Sequence, residues 1–322
     1  MGILPSKLGL GCWSFGTDPY WGEQPHTDTI KTLHAALRAG ITHFDTAQIY
    51  AGGRSEQVTG QQLKRVRDKV VIATKSLYRP PGAFQKALDT SLRRLCTDYI
   101  DIFYLHWPSG GRDFRPIMDV LEKNRKEGKI RWIGVSNFSL QEILPLLESG
   151  TIDFYQLGYS LLWRRGERDI IPFCRSRGIG IVTYSSLAQG VLTNSFLASG
   201  GFGTRDPRRN LVFLADPFRR SLFSFLRELQ KLAEQAGCTM AQLALAWVMA
   251  QPWVSSVLTG ARNRRQIEET AGALSIHVES EILEKITSLS DPLLEAWGES
   301  ADTIFSHTPR REKEGIDADT KR

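Results

Sequence analysis

Cysteine is scarce in this sequence. Its four cysteines, Cys12, Cys96, Cys174 and Cys238, lie far apart and form no C-x-x-C pair. That spacing argues against a disulfide framework or a cysteine-built metal site, so no metal is expected and a reducing compartment fits best. No run of 18 apolar residues exists, which excludes a hydrophobic membrane-spanning helix. The first residues lack a charged segment followed by an apolar stretch. No signal peptide is therefore expected, and the expected location is cytoplasmic. No Arg/Lys run interleaves with aromatics, so nucleic acid is not an expected partner. Also missing are a G-x-x-x-x-G-K-[ST] phosphate loop and the G-x-G-x-x-G fingerprint. The early glycines read Gly9-Leu10-Gly11-Cys12-Trp13-Ser14-Phe15-Gly16, which misses that spacing.

What is present is an ordinary globular composition, 41% hydrophobic and 24% charged over 322 residues. The net charge of +6 allows either a mildly basic surface or a pocket for an anionic ligand. Short apolar runs alternate with amphipathic helical stretches. Strands are expected at Leu8–Cys12, Ile41–Asp45, Val70–Lys75, Tyr99–His106, Ile130–Ser136, Phe154–Gly158, Gly180–Tyr184 and Val254–Thr259. Several are nearly continuous apolar runs, as parallel strands covered on both faces require. Between them, Ile30, Leu33 and Leu37 share a helical face that Gly40 ends, and Phe84, Leu88, Leu92 and Leu95 form a second stripe. Ser139 with Glu142, and Thr239 with Gln242, read as capping boxes. Pro145 predicts a kink or an early stop in the helix that Ser139 opens. Eight alternations point to an α/β fold of the closed (β/α)8 TIM barrel type. One barrel is expected to occupy residues 1–300, with a charged, mobile tail over 301–322. From Ser185 to about Asp216 the chain is rich in Gly, Ser, Arg and Asn, and reads as a long binding loop or lid.

In such a barrel the reacting groups sit where the strands end. The second strand ends at Asp45, with Tyr50 in the loop that follows; the third ends at Lys75, the fourth at His106. Singly, each has a bland explanation as a turn residue, a packing aromatic, a solvated strand end or a core histidine. Together they match one chemistry. Hydride transfer to a carbonyl leaves an alkoxide that needs a proton, and a free phenol, with a pKa of about 10, is a donor but a reluctant acceptor in the reverse direction. A neighbouring cation lowers such a pKa by roughly 1–3 units. Lys75 can be that cation, Asp45 can hold it protonated, and His106 can donate to the substrate oxygen. A Schiff-base aldolase using Lys75 is the rival chemistry, but it leaves Asp45 and Tyr50 unexplained.

Phe44-Asp45-Thr46-Ala47-Gln48-Ile49-Tyr50, Ala73-Thr74-Lys75, Leu105-His106-Trp107-Pro108, Gly134-Val135-Ser136-Asn137-Phe138 and Thr183-Tyr184-Ser185-Ser186-Leu187-Ala188-Gln189-Gly190 resemble the aldo-keto reductase family. The similarity runs in order from about Leu8 to about Asp291. It implies a (β/α)8 barrel that binds NADPH or NADP in extended form and reduces aldehydes or ketones, with Tyr50 as proton donor. It also implies that Ser136, Asn137 and Gln156 hold the nicotinamide carboxamide and that Tyr184 stacks on the ring. Ser185, Leu187, Gln189 and Gly190 would lie along the pyrophosphate.

Gly260-Ala261-Arg262-Asn263-Arg264-Arg265-Gln266-Ile267-Glu268-Glu269-Thr270 resembles the family's site for the adenosine 2′-phosphate. By that match Arg262 pairs with the phosphate, while Gln266 and Glu269 contact the adenine or its ribose. Asn263 can cap the helix there. Thr270 departs from the asparagine common in the family. Arg264 and Arg265 either add phosphate affinity or are simply solvated. Arg205, in the long loop, is an expected pyrophosphate contact. Trp13, Phe15, Tyr20, Trp21 and Trp107 either wall an aromatic substrate pocket or pack the barrel rim, and Trp13, Trp21 and Trp107 are the substrate candidates. The expected partner is a small carbonyl compound, the default assembly a monomer. The alternative is an NADP(H)-binding regulatory subunit of the same fold with little turnover.

Overall fold

The computed structural model describes residues 3–17, 20–216 and 218–298. Its strands are β1 (Leu8–Gly11), β2 (His43–Asp45), β3 (Val71–Ser76), β4 (Ile100–Leu105), β5 (Ile130–Ser136), β6 (Phe154–Gly158), β7 (Gly180–Tyr184) and β8 (Val254–Gly260). Each pairs in parallel with the next, and β8 pairs back onto β1, where Leu258 stands opposite Gly9. That last pairing closes the barrel. Helices α1 (His26–Arg38), α2 (Arg54–Leu63), α3 (Pro81–Arg94), α4 (Arg115–Lys126), α5 (Leu140–Ser149), α6 (Ile170–Ser176), α7 (Asn194–Ser199), α8 (Phe218–Gln235), α9 (Met240–Met249), α10 (Arg264–Ala271) and α11 (Ser280–Trp297) fill the connections. The expected tail over 301–322 lies outside the described residues.

The period of two along each strand sorts side chains into two cores. Val71, Ala73, Ile102, Tyr104, Phe154, Val182 and Leu258 pack together as one cluster. The alternating Ile72, Phe103, Leu105, Ile133, Val135, Ile181 and Val257 pack with helical residues such as Leu33, Leu88 and Leu121. The first cluster fills the barrel, and the second lies between sheet and helices. Gly134 has to be bare, because a Cβ there would sit 2.3 Å from the Tyr104 ring. The same parity carries Asp45, Lys75, His106, Ser136, Gln156 and Tyr184 onto the inner face at the mouth.

Local signals placed the helices well. Gly40, one residue past the cap of α1, takes φ +81°. Glu142 accepts from the Ser139 N–H at 2.8 Å, and Thr239 and Gln242 cap α9 reciprocally at 3.0 and 3.2 Å. Two readings are sharpened by the structure. Of the kink or early stop expected at Pro145, the early stop does not occur: α5 runs through to Ser149, held by the buried Ile143 and Leu146. Nor is 185–216 one irregular loop. It contains α7 and short 3-10 turns at Ala188–Gly190, Pro207–Asn210 and Val212–Leu214. Burial of Val191, Leu192, Phe196 and Leu211 to Leu214 folds this segment onto the core. No helix among the described residues is long and apolar enough to cross a membrane.

Candidate active site

A cavity of about 820 Å³ opens at the C-terminal ends of the strands. The lysine lies beneath its floor. Lys75, on β3 and 1% exposed, spends its ammonium on Asp45 Oδ1, on the Thr46 carbonyl at 2.8 Å and on the Tyr50 phenol oxygen at 3.4 Å. Those are its three donors, and each has a distinct acceptor. Lys75 is not among the cavity's lining residues, whereas Asp45, Tyr50 and His106 are. That burial argues against an aldolase-type attack by its amine on a carbonyl in the cavity.

Asp45 ends β2 and accepts from Gln156 Nε2 at 2.8 Å through its second oxygen. Tyr50 begins a tight turn in which Ala51 and Gly52 take φ of 46° and 62°. His106 follows β4, its N–H bonded to the Ser76 carbonyl at 2.9 Å. Its ring meets that of Tyr50 edge-on at 5.9 Å between centroids. Burial first, and then the Lys75 charge, hold the imidazole well below the usual histidine range. His106 is therefore neutral at pH 7, with Nδ1 buried and without a partner. The four polar residues expected together are thus assembled around one point. A neutral imidazole and a phenol face the cavity, with a buried ammonium behind the phenol.

One wall is aromatic. Trp13 stacks on Tyr20 at 5.1 Å and meets Trp21 edge-on at 5.4 Å, while Tyr50 lies 6.0 Å from it. Trp13, Trp21 and Trp107 line the cavity; Phe15 is fully buried and packs the core. Burial pushes the Tyr20 phenol up to about 12, so it stays neutral.

Tyr184 also lines the cavity; its hydroxyl donates to Asn137 Oδ1 at 2.6 Å and its ring abuts Trp163. Asn137, in the left-handed region at φ 69°, uses its amide NH2 on the His106 carbonyl at 3.1 Å and on Ser136 Oγ at 2.9 Å. Its polar atoms therefore brace His106 and Tyr184. Ser136, Gln156, Ser185, Leu187, Gln189 and Gly190 also line the cavity. Ser185, Ala188 and Gln189 take φ of 53°, 47° and 60°.

Arg205 is exposed and does not line the cavity; Arg208 takes its place. The Asp206 carboxylate grips the Arg208 guanidinium in a fork at 2.9 and 2.6 Å, and the Gln189 carbonyl accepts from it at 3.0 Å. The guanidinium also stacks over Phe202 at 4.1 Å and Trp21 at 5.2 Å. The Asp206-Pro207-Arg208 turn was the signal in the sequence that could have singled out Arg208.

At the far end, Gly260, Arg262, Arg265, Gln266, Glu269 and Thr270 line the cavity. Asn263 caps α10 through the Gln266 N–H at 3.0 Å, and Gln266 Oε1 accepts from the Arg262 N–H at 2.8 Å. The Arg262 guanidinium reaches the Glu23 carbonyl at 2.6 Å, leaving its buried Nε unpaired. The Thr270 hydroxyl is spent on the Gln266 carbonyl of its own helix at 3.0 Å. Three guanidiniums, an aromatic wall and a buried, unpaired Gln189 Oε1 suit a long anionic ligand with an aromatic head, as a nicotinamide dinucleotide is. Among the described residues no group of three or more His, Cys, Asp or Glu side chains is placed to hold a metal ion.

The family described as "Aldo/keto reductase family" matches residues 7–291. An Escherichia coli protein named NADH-specific methylglyoxal reductase is 35% identical over 306 residues, 86% of this chain and 92% of its own. The solved structure of a glycerol dehydrogenase from Gluconobacter oxydans superposes with a TM-score of 0.82 at 29% identity, covering 92% of this chain and 93% of that one. An aldo/keto reductase from Klebsiella pneumoniae, solved with NADP and acetate, superposes with a TM-score of 0.71 at 28% identity, covering 89% and 92%.

Proposed function

Because the chain belongs to the aldo/keto reductase family, we propose that it reduces a small aldehyde or ketone with a hydride from NADPH, and that Tyr50 supplies the proton. The observation that carries this reading is the Asp45–Lys75–Tyr50 chain ending at a cavity beside a neutral His106. The dinucleotide, when bound, supplies the hydride. A carbonyl oxygen placed between Tyr50 and His106 gains two donors. The imidazole N–H polarises it, and the phenol O–H delivers the proton as charge develops. The ammonium of Lys75 favours the phenolate left behind. Asp45 keeps that ammonium charged in a dry site, where an unpaired cation would be costly. Trp13, Trp21 and Trp107 exclude water and favour flat or apolar substrates. Tyr184, Gln189, Arg208 and Arg262 are the residues that would hold the dinucleotide.

Arg262, with Arg265 beside it, supports NADPH over NADH, because a guanidinium can pair with a 2′-phosphate through two parallel hydrogen bonds. The name of the Escherichia coli relative makes NADH the competing expectation. Fluorescence titration of both dinucleotides against the protein and its Arg262→Ala variant decides between them. The variant should bind NADPH about tenfold or more weakly, with NADH little changed. Equal effects on both would remove the 2′-phosphate role. A panel of aldehydes, followed by nicotinamide absorbance, tests turnover itself. Tight binding with no turnover on any carbonyl would favour a regulatory role.

A further inference from the structure

Asp45 is gripped from a neighbouring strand and from across the barrel. Lys75 on β3 takes one carboxylate oxygen, and Gln156 on β6 takes the other at 2.8 Å. In a ring of eight strands β6 stands directly across from β2, so this hydrogen bond spans the barrel's interior. Its direction is fixed by chemistry. A carboxylate only accepts, so Gln156 must turn its NH2 to Asp45. Gln156 is buried and lines the cavity.

We propose that Gln156 is a positioning residue of the proton-delivery chain, holding Asp45 so that Lys75 stays under the Tyr50 phenol. This rests on Tyr50 being the proton donor. The contact at risk is the one from Lys75 to Tyr50, which at 3.4 Å is the longest of the ammonium's three. Without the amide, Asp45 has a buried, unpaired oxygen. Sharing the lysine through both oxygens would satisfy it, but would draw the ammonium off the phenol. The lost N–H dipole also leaves more of the carboxylate's negative potential at Tyr50. Both effects disfavour the phenolate.

The other ionisable groups near Asp45 do not interfere around neutral pH. Burial holds His43, on β2, down to about 4 and pushes Cys12, after β1, up to about 12. His106, after β4, is held well below the usual histidine range, and Tyr104, on β4, well above the usual tyrosine range.

The test is a tyrosinate absorbance titration of the protein without dinucleotide. The Tyr50 contribution is isolated as the difference between each protein and its Tyr50→Phe counterpart. Gln156→Met keeps the length of the side chain and removes the amide. The Tyr50 midpoint should move to higher pH by about half a unit or more, and kcat should fall by about tenfold. An unmoved Tyr50 midpoint with weakened dinucleotide binding would overturn the proposal and leave Gln156 a ligand contact alone. Should Gln156→Met fail to fold, Gln156→Leu removes the amide with a smaller apolar side chain and must also raise the midpoint; no shift there also overturns the proposal. Normal turnover by Tyr50→Phe would overturn the donor reading instead, whatever the titration shows.

Discussion

Asp45 and Asp101 are both buried carboxylates on barrel strands, and both are paired with cations. They lie at opposite ends of the barrel. Asp101 is near the start of β4, five residues, or ~16 Å of extended strand, from His106 at the mouth. Its partners are Arg67 and Arg131, each at 2.6 Å, and the Ile72 N–H at 2.9 Å. Both guanidiniums stack on the Tyr99 ring, at 3.8 and 4.0 Å. Arginine cannot give up its proton, and this cluster does not line the cavity at the mouth. Asp45 instead holds a lysine against a phenol that faces the cavity. One cluster is a structural bolt; the other passes charge to a reacting group. Burial and pairing do not tell them apart, but the cation's identity and the third group it touches do.

The comparison can be broken from either side. Lys75→Met removes the ammonium at the mouth and should lower kcat by about 10³-fold, in the range for loss of acid–base assistance, with dinucleotide binding retained. Asp101→Asn should do the reverse. It leaves two guanidiniums without their carboxylate and should cost about 3 kcal/mol in urea unfolding, with turnover per folded molecule unchanged. Loss of turnover in Asp101→Asn, or of stability alone in Lys75→Met, would erase the distinction.

A smaller effect comes from His43, inside the barrel, where its Nδ1 lies 2.8 Å from Ser256 Oγ. Its imidazole is lowered on folding, so the unfolded chain takes up the proton first. Stability is then full above about pH 6.5 and falls as the pH drops toward about 4, by up to about 3 kcal/mol in all. His106 acts in the same direction. His43 alone should contribute about 2 kcal/mol to the difference in urea unfolding between pH 7 and pH 5, and His43→Gln should reduce the gap by about that much. A flat profile would contradict the assigned burial.

Much of the site was legible in the sequence because strand parity does the placing. Once Asp45, Lys75 and His106 end successive strands, closure brings them together. Residues whose position depends on a turn or a cross-barrel contact were not legible. Arg208 enters the cavity instead of Arg205 because Asp206 clamps it over Phe202, a geometry set by folding of the 185–216 segment. The commitment of Asn137 to His106 and Tyr184, and of Gln156 to Asp45, joins residues 31, 47 and 111 positions apart in sequence. No local pattern marks such pairs. The aromatic candidates divided for a similar reason: Phe15 turned into the core while Trp13 and Trp21 turned to the cavity.

The most direct test of the central claim is rapid-mixing single turnover of Tyr50→Phe, with the dinucleotide bound and an aldehyde added. The account predicts dinucleotide affinity close to that of the parent protein and carbonyl reduction slowed by about 10²–10⁴-fold. Reduction at the parent rate would mean the proton comes from elsewhere, and the assignment of Tyr50, Lys75 and Asp45 would fall with it.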